Sequence, residues 1–277
     1  MNSIHEEFSI ANIRSKQPWF VFCSAGEYSV KISRVPFISH FYSFEAQTSV
    51  DVINAIPDGC IDILFDCDST KPSAIVCGTT LEAQSVDFIN KHRYFGVRMS
   101  PASIPSFLDI SASELVNQRP NFNEATHKIS DLFEKIVSQD SFTNQVTIFS
   151  DFLIKYGIRK HSALTQQVIA HIFHLKGNVQ IQNIEALTGY TSRTIQRQFI
   201  SDTGITPKAF CRIVRCQYAL YNINLNTQIK PSDIAYNLGF NDQSHFSREF
   251  KSLLNTTPNS YINHLKNSAY IEKIRFH

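Results

Sequence analysis

Apolar positions change their spacing along this chain, and the change divides it. Between residue 19 and about 99 they fall in short runs rich in β-branched and aromatic residues: Trp19–Phe22, Tyr28–Ile32, Phe37–Phe44, Cys60–Phe65, Ala74–Cys77 and Tyr94–Met99. Gly26, Pro36, Pro57-Asp58-Gly59, Lys71-Pro72 and Gly78 separate them. Runs of this length, punctuated this way, predict an antiparallel β-sandwich or barrel that could enclose a small-molecule pocket. From Ile104, Phe107 and Leu108 the spacing turns helical, and Ser111 with Glu114 reads as a capped helix start. Ile129, Leu132, Phe133 and Ile136 form one helical stripe; Val146, Phe149, Phe152, Leu153 and Tyr156 form another that ends at Gly157. Both helices are expected to cover the β-domain, with pairing of two subunits through part of the stripe as the alternative. Residues 157–164 read as a basic linker, and a helical pattern resumes near Thr165. The expected class is α+β, with a β-rich domain and covering helices at 1–160 and an all-α domain at 161–277.

Inside 161–277 one pattern occurs twice. Ile184, Leu187, Gly189-Tyr190, Ile195, Arg197, Phe199 and Thr206-Pro207 return as Ile234, Leu238, Gly239-Phe240, Phe246, Arg248, Phe250 and Thr257-Pro258. Each copy reads as helix, glycine turn, helix, which is how helix-turn-helix units are built. In the first copy Ile195 and Phe199 should turn into a core with Ile184 and Leu187, leaving Arg193, Gln196 and Arg197 on the opposite face. In the second, Phe246 and Phe250 turn inward while Ser244, Ser247 and Arg248 face out, with Gln243 at the edge and His245 nearby. Arg donates twice to guanine and Gln pairs with adenine, so these side chains suit the major groove. One exposed Arg is ordinary; two matched ones in matched units argue for double-stranded DNA. Thr191 and Ser192 stand at a helix start, where hydroxyls and free N–H groups can hold a phosphate. Pro207 opens a connecting helix of about 16 residues, roughly 24 Å long. It would hold two reading heads near the ~34 Å of one DNA turn. Arg212 and Arg215 on this connector are candidate phosphate contacts, with a merely solvated role as the alternative.

Charge supports that division. The net charge of +2 hides a split: residues 1–160 carry 14 Lys and Arg against 18 Asp and Glu, and residues 161–277 carry 12 against 6. A basic domain beside an acidic one fits a nucleic-acid module attached to something else. The 43% apolar content argues against disorder. No run approaches the roughly 18–20 apolar residues of a membrane span. No signal peptide is visible at the N-terminus. The six cysteines form no Cys-Xaa-Xaa-Cys pair, so free thiols and a cytoplasmic location are expected. Cys60, Cys67 and Cys77 match no compact zinc pattern and read as structural. Asp58 reads as a turn residue. Arg98 and His92 read as surface residues, with recognition of an anionic ligand as the alternative. His171 and His174 lack carboxylate neighbours for a metal. No catalytic Ser/His/Asp set or phosphate-cradling Gly loop is present, so neither an enzyme nor a metal or cofactor is expected.

The second copy is specific enough to name a family. Asp233-Ile234-Ala235, Leu238-Gly239-Phe240, Asp242-Gln243-Ser244-His245-Phe246-Ser247-Arg248, Phe250-Lys251, Thr257-Pro258 and Tyr261 resemble the DNA-binding domain of the AraC/XylS bacterial transcription regulators. The first copy agrees through Leu187, Gly189-Tyr190, Ile195-Gln196-Arg197, Phe199 and Gly204. The resemblance aligns Arg193, Gln196 and Arg197 with base-reading positions of the first unit, and Gln243, Ser244, Ser247 and Arg248 with those of the second. Asn241 stands where family members often carry an acidic or small residue, and joins Thr191 and Ser192 as a phosphate contact. Upstream, Ile56–Ile63, Tyr94–Arg98, Leu108, Ser111 and Glu114-Leu115 resemble an N-terminal module of such regulators. By the same resemblance that half is a cupin-like effector domain. The resemblance implies promoter DNA and an unspecified small-molecule effector as partners. It favours activation through RNA polymerase over repression, and leaves a homodimer open. A DNA-tethered enzyme, or a redox or metal sensor built on the β-domain, is the alternative.

Overall fold

A computed structural model describes residues 17–35, 37–47, 53–126, 129–268 and 270–277. The expected turn residue Pro36 lies outside them. The expected sandwich or barrel takes the form of one six-stranded sheet. It comprises β1 (Ser24–Ile32), β2 (Ile38–Ala46), β4 (Asp62–Asp66), β5 (Ser73–Cys77), β7 (Arg93–Met99) and the C-terminal β8 (Ile274–Phe276), in the order β5-β4-β7-β2-β1-β8. β3 (Asn54–Ala55) and β6 (Gln84–Ser85) form a separate two-stranded ribbon. Neighbours are antiparallel except β8, which runs parallel to β1 and pairs Tyr28 with Ile274 and Val30 with Phe276.

Both faces of the sheet are covered, which is why β4 is buried at every position. Phe41, Ile63, Phe65, Phe95 and Val97 point to one face. They pack against α2 (Ala112–Leu115), α3 (Phe122–Ala125), α4 (Ser130–Val137) and α5 (Phe142–Tyr156). Leu132, Ile136, Phe149 and Leu153 are spent on this core, so the covering role expected for α4 and α5 holds. Ser111 and Glu114 form the expected capping box. Ile104, Phe107 and Leu108 are buried, but on successive turns rather than a helix. Pro105 has no N–H to continue a helical ladder there.

Trp19–Phe22, expected as a strand, is instead α1 (Pro18–Phe22). Pro18 supplies the helical φ at its first position. Trp19 then lies tilted against Tyr261, and Phe22 meets His264 edge-on and Tyr270 at a tilt. Aromatic content suggested β structure; contacts with the far end of the chain decided the matter.

Among the described residues eight further helices follow: α6 (Ala163–His174), α7 (Ile181–Thr188), α8 (Ser192–Thr203), α9 (Pro207–Leu225), α10 (Pro231–Asn237), α11 (Gln243–Leu254), α12 (Pro258–Asn267) and α13 (Tyr270–Lys273). Val168, Ile172, Ile184, Ile195, Phe199 and Val214 form a core within the first unit. The core of the second unit is not separate from the sheet. Ile223, Ile234, Phe246, Phe250 and Tyr261 continue directly into Tyr28, Tyr42, Phe44 and Leu64 on the other sheet face. Residue 160 therefore separates two stretches of sequence, but one apolar core spans both. Gln217 donates to the Pro57 carbonyl at 2.8 Å, and Lys273 to the Ser24 carbonyl at 2.8 Å. Gly204, at φ +82°, lies so close to α2 that a Cβ would sit 2.4 Å from the Ala112 oxygen.

Candidate nucleic-acid interface

Each unit is built around a left-handed glycine that ends its first helix. Gly189 has φ +72° and Gly239 φ +68°, a conformation a side chain disfavours. The second helices start on side-chain caps: Thr191 accepts from the Thr194 N–H at 3.4 Å, and Asp242 from the His245 N–H at 2.6 Å. Ile195, Phe199, Phe246 and Phe250 are fully inside. That fixes the rotation of α8 and α11 and turns Arg193, Gln196 and Arg197, and Gln243, Ser244 and Arg248, to solvent. Ser247 is half-buried.

The units differ at the turn, and one expectation fails there. The two glycines are fifty positions apart, but the caps, arginines and phenylalanines are fifty-one apart, so the second turn is one residue longer. Leu187 thus corresponds to Asn237, and Leu238 to Thr188. Leu187 is 53% exposed rather than part of the core, whereas Leu238 is 2% exposed. Thr188 spends its hydroxyl on the Ile184 carbonyl at 2.8 Å. Tyr190 is likewise exposed, while its counterpart Phe240 is covered by the Arg215 guanidinium, 4.7 Å from the ring centroid, and by the His245 ring edge. Counting the offsets separately for each helix would have exposed the slip. Asn241 lies on the longer turn and is exposed.

α8 and α11 border one open cleft of about 960 Å³, whose lining includes Gln196 from the first and Arg248 from the second. Lys208, Arg212 and Arg215 of α9 line it too. Among the described residues Arg248 is held only by its own helix, donating to the Ser244 carbonyl at 3.3 Å. Arg212 is engaged: its Nε donates to Glu249 at 2.9 Å, and His245 Nε2 lies 3.5 Å from the same carboxylate. Arg215 is half-buried over Phe240. Sequence reasoning missed Glu249, although its place four residues after His245 on one helix face was visible. The Ser192 N–H, expected to be free, donates to the Glu185 carboxylate at 2.5 Å. Gln196 reaches the Ser192 hydroxyl at 3.4 Å.

In the sheet, Arg98 corrects the reading that made it a surface residue: it is 1% exposed. Its Nε donates to Asp62 at 2.9 Å, one NH2 group also meets Asp62, and the other lies 3.2 Å from Asp58. Burial would strip its charge, but Asp62 and then Asp58 outweigh burial and hold its pKa well above the ordinary value. Asp58 also accepts from the Cys60 N–H at 2.9 Å, the turn bond expected of it. His92 sits between Asp66, at 2.8 Å, and Asp68, at 3.6 Å, acidic surroundings that would repel an anion. Burial pushes the Cys67 thiol up, and the Cys77 thiol up to about 12, so neither is a ready nucleophile. Among the described residues no three His, Cys, Asp or Glu side chains group to hold a metal.

Paired glycine-turn helices with cationic outer faces define a helix-turn-helix domain, an architecture that docks on DNA. Comparison with known proteins agrees. Residues 184–264 match the family described as "Helix-turn-helix domain", and residues 35–121 match "Domain of unknown function (DUF6597)". The uncharacterized HTH-type transcriptional regulator YbfI of Bacillus subtilis (strain 168) is 33% identical over 72 residues, 26% of each chain. The HTH-type transcriptional activator RhaS of Enterobacter sp. (strain 638) is 28% identical over 103 residues, 37% of each. The chain thus spans between a quarter and two-fifths of the length of these relatives. The crystal structure of ToxT from Vibrio cholerae O395 superposes with a TM-score of 0.45 at 16% identity, covering 82% of this chain and 97% of that one. The C-terminal domain is a helix-turn-helix domain of the AraC type, joined to an N-terminal domain of a family without assigned function. No helix among the described residues is long and apolar enough to cross a membrane.

Proposed function

We propose that the protein is a transcription regulator that reads promoter DNA with α8 and α11 of one monomer in successive major-groove segments. The observation that carries this reading is the pair Arg197 and Arg248, both exposed and each two residues before the buried phenylalanine that anchors its helix. Arg193, Gln196 and Arg197, and Gln243, Ser244, Ser247 and Arg248, read base edges. His245, beside Glu249 at the start of α11, joins them as a DNA contact. Thr191, Ser192 and Asn241 meet phosphate. Arg212 and Arg215 add positive potential to the cleft while bound internally. The N-terminal domain senses a small molecule. Promoter occupancy activates by recruiting RNA polymerase, as the name of the relative RhaS would suggest, and the protein works in the cytoplasm, where that polymerase is. A homodimer would use the outer side of α5, where Ile154 is 67% exposed.

Arg197→Ala and Arg248→Ala should each weaken a specific site by about 1–3 kcal/mol and relax base preference at separate positions. Footprinting on operator variants measures both. Footprints identical to the parent's would refute the assignment.

A further inference from the structure

The turn Pro57-Asp58-Gly59-Cys60 is buried throughout, although Pro-Asp-Gly is ordinarily surface-turn sequence. It is buried because α9 lies across it. Gly59 has φ +72°, and a Cβ there would sit 2.9 Å from the Phe210 ring, so only bare backbone comes this close. About two helical turns further along α9, on the same face, Gln217 donates to the Pro57 carbonyl at 2.8 Å. The sheet side holds the turn as firmly. Asp58 takes one Arg98 nitrogen at 3.2 Å, the Cys60 N–H at 2.9 Å and the Gln17 amide at 3.2 Å. The Gly59 carbonyl accepts from the Ala102 N–H at 2.9 Å. Gln217 is 4% exposed, and its Oε1 has no partner among the described residues. A methionine would fill that space without burying an unpaired acceptor. Packing alone therefore does not account for the glutamine; its bond to the turn does.

Phe210 carries the contact onward, because it belongs to the core of the first unit. Its ring centroid lies 5.6 Å from that of Phe199, which anchors α8 two positions after Arg197. At its far end α8 is pressed against α2 at Gly204. We propose that the Pro57–Cys60 turn is a wedge that sets the tilt of α8 on DNA, with Gly59 and Gln217 as positioning residues for base reading by Arg193, Gln196 and Arg197. The proposal rests on the reading of α8 as a recognition helix. The second unit meets the N-terminal half differently, through a continuous apolar core. Apolar burial is non-directional, whereas a hydrogen bond and a ring against bare backbone fix position and angle together. The wedge therefore acts on the first reading head and leaves the second alone.

The test uses the full chain and an operator that it selects from random duplexes. Arg197→Ala and Arg248→Ala assign the operator's two halves, and gel shifts measure affinity for operators altered in either half. Gln217→Met keeps the volume and removes the bond to Pro57. It should melt close to the parent, since the unpaired acceptor goes with it. Its discrimination between right and wrong bases should nevertheless fall about three- to tenfold in the Arg197 half, with the Arg248 half unchanged. Gly59→Ala, which pushes a Cβ into Phe210, should shift the same half. Its effect combined with Phe210→Leu should be smaller than the two single effects added. A mere loss of folded protein scales affinity for every operator by one factor and leaves these ratios untouched. Parent-like ratios in both halves for Gln217→Met, or an equal loss in both, would overturn the wedge while the regulator reading stands. Failure to select any operator, or parent-like base preference in both arginine variants, would sink the regulator reading and the wedge with it.

Discussion

Glu249 is the lone acid among the described residues lining the cleft between α8 and α11, and its removal should strengthen DNA binding. It is deeply set, with a side chain 10% exposed, and it takes the Nε of Arg212, whose own side chain is 39% exposed. In Glu249→Gln the amide keeps a hydrogen bond to the neighbourhood but releases the cation. One freed Arg adds about one phosphate contact, which steepens the log-affinity against log-salt slope by about 0.9. At 0.1 M salt that is about an eightfold tighter complex, and the gain should vanish towards 1 M. The cost in stability is roughly 0–1 kcal/mol, because the pair is partly solvated and the amide still bonds. Fluorescence anisotropy with a labelled duplex at four or five salt concentrations reads slope and affinity together. A slope equal to the parent's, or weaker binding at low salt, would show that the cleft does not face the phosphates.

Two further predictions concern the N-terminal half. Asp62→Asn removes the carboxylate that meets Arg98 with both oxygens while leaving the guanidinium buried. It should cost about 3–5 kcal/mol and lower the melting midpoint by roughly 6–15 °C, whereas Asp58→Asn, which loses a single 3.2 Å contact to Arg98, should cost less. A shift for Asp62→Asn no larger than that for Asp58→Asn would refute the ranking. His92 is the second case: its hydrogen bond with Asp66 raises its pKa above 6.5. A raised value in the folded state means that the added stability is complete below pH 6.5 and is lost as pH climbs through the folded pKa. The midpoint advantage of the parent over His92→Gln should therefore shrink between about pH 6 and pH 8; an advantage that grows over that interval would reverse the assignment.

The local grammar of the helical half was legible in the chain alone. Phe199, Phe250, Ile195 and Phe246 recur at helical spacing, and a helix with one apolar stripe has only one way to face its core. The outward direction of Arg197 and Arg248 follows from that geometry. The caps at Thr191 and Asp242 and the glycines at 189 and 239 were readable for the same reason, since each depends on a few adjacent residues. What could not be read was everything that needs residues far apart to meet. Trp19–Phe22 became a helix because Tyr261, His264 and Tyr270 lie against it. Arg98 went inside because Asp58 and Asp62, distant in sequence, converge on it across paired strands. The last strand joined the first one, an edge pairing that neither half contains alone. Periodicity is set by neighbours along the chain, whereas burial and charge pairing are set by which surfaces finally touch.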